Sequence, residues 1–299
     1  MDIILIFNGL GNQMSQYAFY LAKKQINPRV KCIYFPLKDD DQHNGFELDN
    51  VFNIKISKNI NYYTLYYLYK LYLVKDQNNI KGRFIRKILN HFKVNVIYEN
   101  LKTYEFNPDN LLKGTGCSYY WGGWHCEKYF NDIRDKISNI FHFHIDENDS
   151  RTIELQKKMN TTTSVSIHVR RGDFISKRLI ESFGNVCDLE YYNKAIKYIR
   201  QKVENPYFFI FSDDEQWINE NFKFPNSVIV DFNKGNDSWK DMYLMSQCKH
   251  NINANSTFSW WGAWLNKNPG KIVVVPEKFI LQDEPQDIYP DSWIKIPVS

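Results

Sequence analysis

The chain opens with a continuous apolar run, residues 3–7, that is closed by Asn8 and Gly9. Such a run is typical of a strand that is buried on both faces of a parallel sheet. Apolar residues then recur at helical spacing between Met14 and Ala22. We therefore expect residues 8–12 to form a glycine-containing turn between a strand and an amphipathic helix.

The second half of the chain alternates between strand-like and helix-like segments, which predicts a parallel, doubly wound sheet with right-handed crossovers. The clearest helix has apolar residues at helical spacing, and Asp188 stands at its predicted N-cap. The chain would then be an α/β protein of two Rossmann-like halves, residues 1–150 and 151–299, that face each other across a cleft. The predicted strands are residues 165–169, 207–211, 228–232, 251–254 and 272–275, and the helix positions are Leu189, Tyr192, Ile196, Ile199 and Val203.

Residues 55–115 are rich in tyrosine, asparagine and lysine. An aromatic segment beside basic residues can rest on a membrane surface, but ordinary packing is favoured here because tyrosine stands on every face. Tyrosine can also stack on sugar rings, so contacts with a carbohydrate remain open. The tyrosines concerned lie within residues 62–69, and the bases that follow are Lys81, Arg83, Arg86 and Lys87.

Composition limits the class of protein further. With 43% hydrophobic and 24% charged residues the chain has the balance of a soluble globular protein, and its net charge of +4 suits a site for an anionic ligand better than a nucleic-acid surface. The five cysteines show no paired spacing, and the start of the chain has neither the basic residues nor the cleavage site of a signal peptide. No segment approaches the roughly 20 apolar residues that span a bilayer. These features predict a cytoplasmic protein.

Polar residues end each predicted strand of the second half, and in an open parallel sheet ligands bind beyond these carboxyl ends. Each residue taken alone also has an explanation as a loop residue or helix cap, which we favour for Ser212, Asp213 and Asp231. The full set is expected to converge on one edge and comprises His168, Arg170, Ser212, Asp213, Asp231, Asn255, Ser256 and Thr257.

Arg170 is the strongest candidate of this set. Side chains alternate along a strand, so His168 and Arg170 share one face. A guanidinium group at a strand end can bind a pyrophosphate through two hydrogen bonds and stabilise the charge of a leaving group. The competing explanation is structural, with Arg171 and Asp173 forming an ion pair in a turn and His168 lying in the core.

The segment from Asn253 to Thr257 is expected to lead from a strand into a helix, with free backbone donors and two hydroxyl groups at the helix start. Such a helix start binds phosphate. The competing explanation is a simple Ser/Thr N-cap. The tryptophans that follow are expected in the core rather than at a ligand, and they are Trp260, Trp261 and Trp264.

The turn at residues 9–13 resembles half of a dinucleotide fingerprint, but Met14 occupies the third glycine position and no acidic residue follows at the usual distance. A nicotinamide site is therefore not expected. Gly11 would still let a ligand approach the backbone, and the side chains of Asn12 and Gln13 could donate hydrogen bonds to it. A plain turn between strand and helix explains the same residues.

Two acidic clusters could hold a divalent ion, but neither is read as a metal site. Residues 39–41 lie in a polar loop, where a solvated run of charge is the expected state, and Asp213-Asp214 ends a strand beside Ser212. The sequence therefore predicts no metal and no resident cofactor.

Three motifs stand in the order and spacing of one known family and cover nearly the whole chain. They are Gly9-Leu10-Gly11-Asn12-Gln13-Met14, His168-Val169-Arg170-Arg171-Gly172-Asp173 and Asn255-Ser256-Thr257-Phe258-Ser259-Trp260-Trp261-Gly262, with weaker support from Phe46-Glu47-Leu48-Asp49 and Glu127-Lys128-Tyr129-Phe130. With these motifs the sequence resembles the bacterial α-1,2-fucosyltransferases. It departs from the family pattern before Glu127, where a more polar stretch is expected, so the acceptor stays open.

The resemblance implies an α/β fold of the GT-B type, with GDP-fucose as donor substrate mostly in the second half and an oligosaccharide or glycan acceptor, expected to be galactose-terminated, mostly in the first. It further implies inversion at the fucose anomeric carbon and no requirement for a metal. By similarity, the nucleotide sugar would be bound by His168, Arg170, Asp241, which would read the guanine, Asn255, Ser256, Thr257 and Phe258, together with Gly11, Asn12 and Gln13 of the first turn.

The mechanism implied is direct displacement, in which an acceptor hydroxyl attacks the sugar carbon as GDP leaves. Arg170 would stabilise the departing charge, and Asp173 is one candidate for the general base. Three alternatives remain: a fucosyltransferase with another acceptor or linkage, a carbohydrate-binding protein without transfer activity, and a nicotinamide-dependent enzyme, which Met14 weakens.

Overall fold

The computed structural model describes residues 1–35, 44–56, 61, 63–64, 66–67, 70, 80–172, 180–281 and 286–298. The chain divides into two compact units, Met1–Phe141 and His142–Ser299. The division therefore falls between Phe141 and His142, whereas the sequence placed it near residue 150. The assignment of acceptor and donor binding to the two parts stays a prediction.

The N-terminal unit is built on a four-stranded sheet in the order β2-β1-β4-β3, in which every pair of strands is parallel. Its strands are β1 (Asp2–Ile6), β2 (Lys31–Tyr34), β3 (Val94–Tyr98) and β4 (Cys117–Trp121). Its α-helices are α1 (Leu10–Ile26), α2 (Glu47–Phe52), α3 (Ile80–His91) and α4 (Arg134–Ile140), and 3-10 turns lie at Pro108–Leu111, Glu127–Tyr129 and Asn131–Ile133.

Strand β1 confirms the first prediction, because all five of its residues are buried between two neighbouring strands. In the tyrosine-rich segment of residues 62–69, two described positions agree with ordinary packing rather than contact with a membrane surface. Tyr66 is fully buried in the core of this sheet, and Tyr63 packs against the same core. Tyr67, in contrast, is 52% exposed.

The C-terminal unit contains a six-stranded sheet in the order β10-β9-β8-β5-β6-β7, again wholly parallel. Its strands are β5 (Thr163–Val169), β6 (Pro206–Ser212), β7 (Ser227–Val230), β8 (His250–Ile252), β9 (Val273–Pro276) and β10 (Ile294–Ile296). Its α-helices are α5 (Ser150–Thr161), α6 (Leu189–Lys202), α7 (Glu215–Asn221), α8 (Trp239–Gln247) and α9 (Thr257–Leu265), with a π-helical turn at Ile180–Gly184 and a 3-10 turn at Gly235–Asp237.

All five strands predicted for the second half are present, and the predicted helix is α6. Asp188 caps that helix, because its carboxylate accepts a hydrogen bond from the backbone N–H of Tyr191 at 2.8 Å. Strand β10 was not predicted; it lies at the edge of the sheet beside β9, and its two isoleucines are only partly buried on either side of the exposed Lys295. Of the helices that the structure describes, none has the length and apolar character required to cross a bilayer.

Candidate active site

Strand β5 lies at the centre of the second sheet, between β8 and β6. It pairs with β6 in a register that sets Val169 opposite Ser212, so the residues that follow the two strands are neighbours. Arg170 and Asp213 occupy these positions, and Arg170 Nη1 lies 2.8 Å from Asp213 Oδ2. Both side chains are partly accessible, with 29% and 26% of their areas exposed. The strand ends therefore present a guanidinium group that is held by a carboxylate.

Asp213 is fixed in turn by the backbone of the same segment. Its Oδ1 accepts a hydrogen bond from the backbone N–H of Arg171 at 2.9 Å. A Cβ atom at Gly172 would approach Asp213 Oδ2 to 2.8 Å, which is closer than real contacts allow. Glycine at 172 thus leaves room for the carboxylate. The sequence analysis had favoured a loop or cap role for Asp213, but the structure shows it in contact with Arg170.

Arg171 faces a different part of the unit. Its Nε lies 3.2 Å from Asp214 Oδ2, and its guanidinium lies over the ring of Trp217, 4.4 Å from the ring centroid. Asp214 also caps α7 by accepting from the N–H of Trp217. Arg171 therefore has a structural role with Asp214 as partner, while Asp173, the partner considered from sequence, lies outside the described residues.

His168 is buried beneath Arg170, with 6% of its area exposed. Burial and the charge of Arg170 together lower the pKa of its imidazole to about 3, and Asp213 acts in the opposite direction. The ring is therefore neutral at physiological pH. Its centroid lies 5.8 Å from that of Phe258, and its Nδ1 has no hydrogen-bond partner among the described residues. His168 can offer a ligand a hydrogen bond, but not a positive charge.

The start of helix α9 lies at the same edge, because β8 pairs directly with β5. Ser256 is the N-cap, and its Oγ accepts from the N–H of Phe258 at 3.3 Å. Thr257 and Phe258 are half-buried, so the first turn is partly accessible. The N-cap explanation is confirmed for Ser256, and it does not conflict with phosphate binding by the other N–H groups of this turn.

The side chain of Asn255 is buried behind the start of α9. It is 1% exposed, and its Nδ2 donates to the backbone carbonyls of Phe183 and Phe279 at 3.1 and 2.9 Å. The amide nitrogen is therefore bound to the backbone in this arrangement, while Oδ1 has no hydrogen-bond partner among the described residues. Nucleotide binding by Asn255 stays a prediction. The side chain joins three segments of chain behind the helix start.

Two neighbouring tyrosines of α6 form hydrogen bonds with the backbone at the carboxyl ends of β8 and β5. The hydroxyl of Tyr191 donates to the carbonyl of Asn253 at 2.6 Å, and that of Tyr192 donates to the carbonyl of His168 at 3.1 Å. Both side chains are buried. The sequence showed Tyr192 only as an apolar position of the helix, because the spacing carries no information about the hydroxyl groups.

Asp241 lies in the first turn of α8, which packs against α9. Burial raises the pKa of its carboxyl group to about 7, a hydrogen bond from Asn233 lowers it, and the charge of Asp231 raises it. The Asn233 Nδ2 lies 2.7 Å from Asp241 Oδ1. A half-buried carboxylate in this position can accept two further hydrogen bonds from a flat ligand with adjacent N–H groups.

In the turn between β1 and α1, the buried Gln13 side chain binds other parts of the protein. Helix α1 begins at Leu10, and Asn8 supplies the left-handed residue of the turn with φ of 62°. Gln13 is fully buried, and its amide donates to the carbonyls of Asn8 and Gly45 and accepts from the N–H of Glu47. The expected donation from Gln13 to a ligand is therefore corrected, because both amide protons are used internally.

The start of α1 is also filled, because the Glu47 carboxylate accepts from the N–H of Leu10 at 3.0 Å. A carboxylate already takes the place that a phosphate takes in dinucleotide-binding turns. Gly11 is buried within the first helical turn, whereas Asn12 is half-buried. Of the three residues predicted here, Asn12 keeps a partly accessible side chain.

Comparison with known proteins decides the family. Residues 55–297 match the sequence pattern of Glycosyl transferase family 11. The chain belongs to this family. It is 32% identical to an α-1,2-colitosyltransferase of Escherichia coli over 99% of each chain. It is 33% identical to the O-antigen biosynthesis glycosyltransferase WbnK of Escherichia coli, over 96% of this chain and 98% of the other.

Another relative and a solved structure, both less similar in sequence, add to this comparison. Human galactoside α-(1,2)-fucosyltransferase 1 is 26% identical over 96% of this chain and 72% of its own length. The crystal structure of the fucosyltransferase NodZ from Bradyrhizobium has a TM-score of 0.50 and 15% identity, over 87% of this chain and 90% of NodZ. The family resemblance and the α/β fold of the GT-B type are confirmed.

For a family 11 protein the carboxyl edge of β5, β6 and β8 is the candidate site of chemistry. It brings together His168, Arg170, Asp213 and the start of α9, all of which the sequence set at this edge. The contact between Asp213 and Arg170 and the hydrogen bonds of Tyr191 and Tyr192 were not predicted. Asp213 and Asp214 each face an arginine, and residues 39–41 lie outside the described part of the chain. The absence of a metal requirement stays a prediction.

Proposed function

We propose that this protein transfers L-fucose from GDP-fucose to a hydroxyl group of a galactoside, with inversion and formation of an α-1,2 linkage. The observation that carries the proposal is the position of Arg170, which is held by Asp213 at the carboxyl edge of β5 beside the start of α9. Membership of family 11 supports the reaction class, and the human α-(1,2)-fucosyltransferase among the relatives supports the sugar and the linkage.

Charge on the leaving group is the main chemical demand of this reaction. As the bond between sugar and phosphate lengthens, positive charge develops on the sugar and negative charge on GDP. A guanidinium group has five N–H donors, so Arg170 can keep one contact with Asp213 and offer others to the pyrophosphate. The N–H groups of the first turn of α9 add a second source of positive potential.

This arrangement supplies positive charge without a resident cofactor, so we propose that the donor substrate binds without a metal ion. His168 adds a neutral hydrogen-bonding group, because burial keeps its pKa far below physiological pH. In the proposed complex it contacts the nucleotide near Phe258, whose ring is its neighbour. Fixed donors aimed at a developing charge are a large source of rate enhancement.

Donor selection is assigned to Asp241 in this proposal. Guanine presents two adjacent N–H donors that adenine and uracil cannot offer in the same way, and an ionised carboxylate accepts both. Burial raises the pKa of Asp241 to about 7 in the unliganded protein. Two hydrogen bonds from guanine would favour the ionised form and lower that pKa.

The acceptor hydroxyl must lose a proton during transfer, and Asp173 remains the candidate base from sequence. We place acceptor binding in the N-terminal unit and transfer in the cytoplasm. All five cysteines lie among the described residues and form no disulfide, which fits a reducing compartment. A carbohydrate-binding protein without transfer activity would have no need of a guanidinium held beside a helix start, so Arg170 favours the enzyme.

Similarity to a colitosyltransferase supports GDP-colitose as an alternative donor. The colitosyltransferase of Escherichia coli is similar over 99% of each chain. Colitose is fucose without its 3-hydroxyl group, so the two nucleotide sugars differ by one oxygen atom. A site that hydrogen-bonds this hydroxyl discriminates strongly against the sugar that lacks it, whereas an apolar pocket does not.

A transfer assay tests both versions. The protein is incubated with GDP-fucose or GDP-colitose and a panel of β-galactosides in the presence of a chelator, and GDP release and product linkage are measured. Galactoside-dependent release from GDP-fucose with an α-1,2 product supports the proposal, and preference for GDP-colitose supports the second donor. Absence of any α-1,2 product with either donor rejects both.

A matched pair of variants makes the assay specific for the site. Arg170→Ala should abolish transfer, whereas Arg200→Ala should keep it. Arg200 lies near the amino end of β6, over the rings of Phe208 and Phe224. Equal activity of the two variants would show that Arg170 does not serve the reaction.

A further inference from the structure

Helix α3 concentrates positive charge in a chain that is nearly neutral. The whole chain has 38 basic and 34 acidic residues, yet residues 77–98 contain no aspartate or glutamate. Four basic residues lie within the helix itself, and Lys93 follows it. The basic residues within α3 are Lys81, Arg83, Arg86 and Lys87.

The two faces of α3 have different surroundings. Leu89 is 2% exposed and Ile85 is partly buried, and both pack against the core of the N-terminal sheet. On the opposite face, Ile80 is 78% exposed and Phe84 is 65% exposed, and Phe92, just beyond the helix, is 61% exposed. The inner face is thus buried against the core of the sheet, while the outer face exposes large apolar side chains to water.

Basic and apolar side chains share this outer face. Positions 80, 84, 87 and 91 follow each other at four-, three- and four-residue intervals, which places them in one row on a helix. Arg83 and Lys87 are exposed beside Phe84. A single exposed apolar residue on a protein surface requires no explanation, but Ile80 and Phe84, one helical turn apart among basic residues, form an apolar patch that is unfavourable in water.

We infer that α3 is an interfacial helix that binds an anionic lipid surface. Phe84 and Ile80 enter the boundary between headgroups and acyl chains, and Arg83 and Lys87 contact lipid phosphates. A lipid surface meets both features, because it accepts apolar side chains and attracts positive charge at the same depth. An acidic peptide would pair with the bases and leave the aliphatic Ile80 in water.

This inference goes beyond the proposed function and does not depend on it, because lipid binding by α3 requires neither donor nor acceptor. Its physical consequence is that the N-terminal unit would bind at the membrane surface through a face that lacks acidic residues. Exposed Phe84 and Arg83 are not part of the site described above, so their replacement is expected to leave transfer to a soluble galactoside unchanged.

The test is flotation of the purified protein with vesicles of phosphatidylcholine alone or of phosphatidylcholine mixed with phosphatidylglycerol. We expect binding to the mixed vesicles to exceed binding to phosphatidylcholine by about tenfold and to weaken at high salt. Two double variants address the two contributions separately. Ile80→Ser with Phe84→Ser, and Arg83→Glu with Lys87→Glu, should each reduce binding by about tenfold.

Matched controls alter equally exposed residues elsewhere. Leu112→Ser removes another exposed apolar side chain, 54% exposed in the wild type, and Lys157→Glu with Lys267→Glu reverses two exposed charges of the C-terminal unit. Both controls should bind vesicles like the wild type, and all variants should keep the wild-type unfolding temperature. The inference is overturned if anionic vesicles do not bind the protein, or if the α3 variants bind like the controls. It is also overturned if the α3 variants convert a dimer to a monomer, since the surface would then serve a second copy of the chain.

Discussion

The guanidinium of Arg170 lies 2.8 Å from the carboxylate of Asp213, at the adjoining ends of two neighbouring parallel strands. The contact follows from the register of β5 and β6, which sets the last residues of the two strands side by side. Asp213 is itself held by the backbone N–H of Arg171. The pair therefore has a fixed geometry before any ligand binds, and fixed geometry is what electrostatic catalysis requires.

Replacement of Asp213 by asparagine tests whether this carboxylate orients Arg170. The amide oxygen can still accept from the N–H of Arg171, so the fold should be kept, while the charge that holds the guanidinium is lost. We expect kcat for transfer to fall by about tenfold with a smaller change in donor KM. Steady-state kinetics measure both constants, and Asp237→Asn, at an exposed carboxylate of the same unit, is the control. Unchanged kinetics in Asp213→Asn would remove the orienting role.

Tyr192→Phe tests the support of β5 from α6. The change removes only the hydroxyl that donates to the carbonyl of His168. Loss of one buried hydrogen bond should lower the free energy of unfolding by about 1–2 kcal/mol, and donor KM should rise because the strand end is less well fixed. Denaturant unfolding and kinetics are measured beside Tyr198→Phe, a half-buried tyrosine of the same helix. A loss of stability without any change in donor KM would limit Tyr192 to a structural role.

The pH dependence of donor binding tests Asp241. Burial raises its pKa to about 7, and guanine binding requires the ionised form, so affinity should fall as pH falls below 7. Between pH 8 and pH 6 we expect about a tenfold loss of affinity for GDP-fucose. GDP-fucose is the suitable probe because its pyrophosphate has no group that titrates in this range. Asp241→Asn should bind weakly at both values, and a wild-type pH profile in this variant would contradict the assignment.

A second buried carboxyl group predicts how stability depends on pH. Glu99 is 6% exposed and accepts from the N–H groups of Gly123 and Trp124 at 2.7 and 2.8 Å. Burial raises its pKa from 4.5 to about 7, and the two backbone hydrogen bonds lower it. Glu99 therefore loses its proton first in the unfolded chain as pH rises, so the contribution of this group to the stability of the folded state is lost between about pH 4.5 and 7. The loss should be on the order of 3 kcal/mol.

Glu99→Gln provides the measurement for this prediction. Its amide oxygen can still accept from Gly123 and Trp124, and it does not titrate. The free energy of unfolding is determined from pH 4.5 to 8 for wild type, Glu99→Gln and Glu105→Gln, an exposed glutamate of the same unit. Between pH 4.5 and 7 the free energy of unfolding of the wild type should fall relative to that of Glu99→Gln, because the other titrating groups are common to both proteins and cancel in the difference. The difference between the wild type and Glu105→Gln should stay constant. An equal slope in all three proteins would mean that another group is responsible.

The sequence predicted β1, α1, α6 and strands β5 to β9 because these elements have clear local patterns. The buried run of β1 and the capped, periodic helix α6 are examples in which composition and spacing suffice. Strand β10 lies at the end of the strand order, and its two partly buried isoleucines on either side of Lys295 do not form a recognisable apolar run. The set of polar residues at the carboxyl ends of the second sheet's strands could also be predicted, because the strands of a parallel sheet all end on the same side.

The contacts within the site could not be predicted in the same way. Gln13 and Asn255 are polar residues beside glycine-containing or capped turns, which made ligand contacts plausible, but their amide groups bind backbone carbonyls that are distant in sequence. Asp213 contacts Arg170 because of strand register, which spacing along one strand does not reveal. Long-range hydrogen bonds of this kind depend on the folded arrangement rather than on local pattern.

The most direct test of the central claim is the binding of GDP-fucose to wild type, Arg170→Ala and Arg200→Ala, measured by titration calorimetry with a chelator present. We predict similar binding by wild type and Arg200→Ala. Binding by Arg170→Ala should be about 10- to 100-fold weaker, because this variant loses the charge-assisted hydrogen bonds from Arg170 to phosphate. Failure of the wild type to bind GDP-fucose, or equal binding by all three proteins, would contradict it.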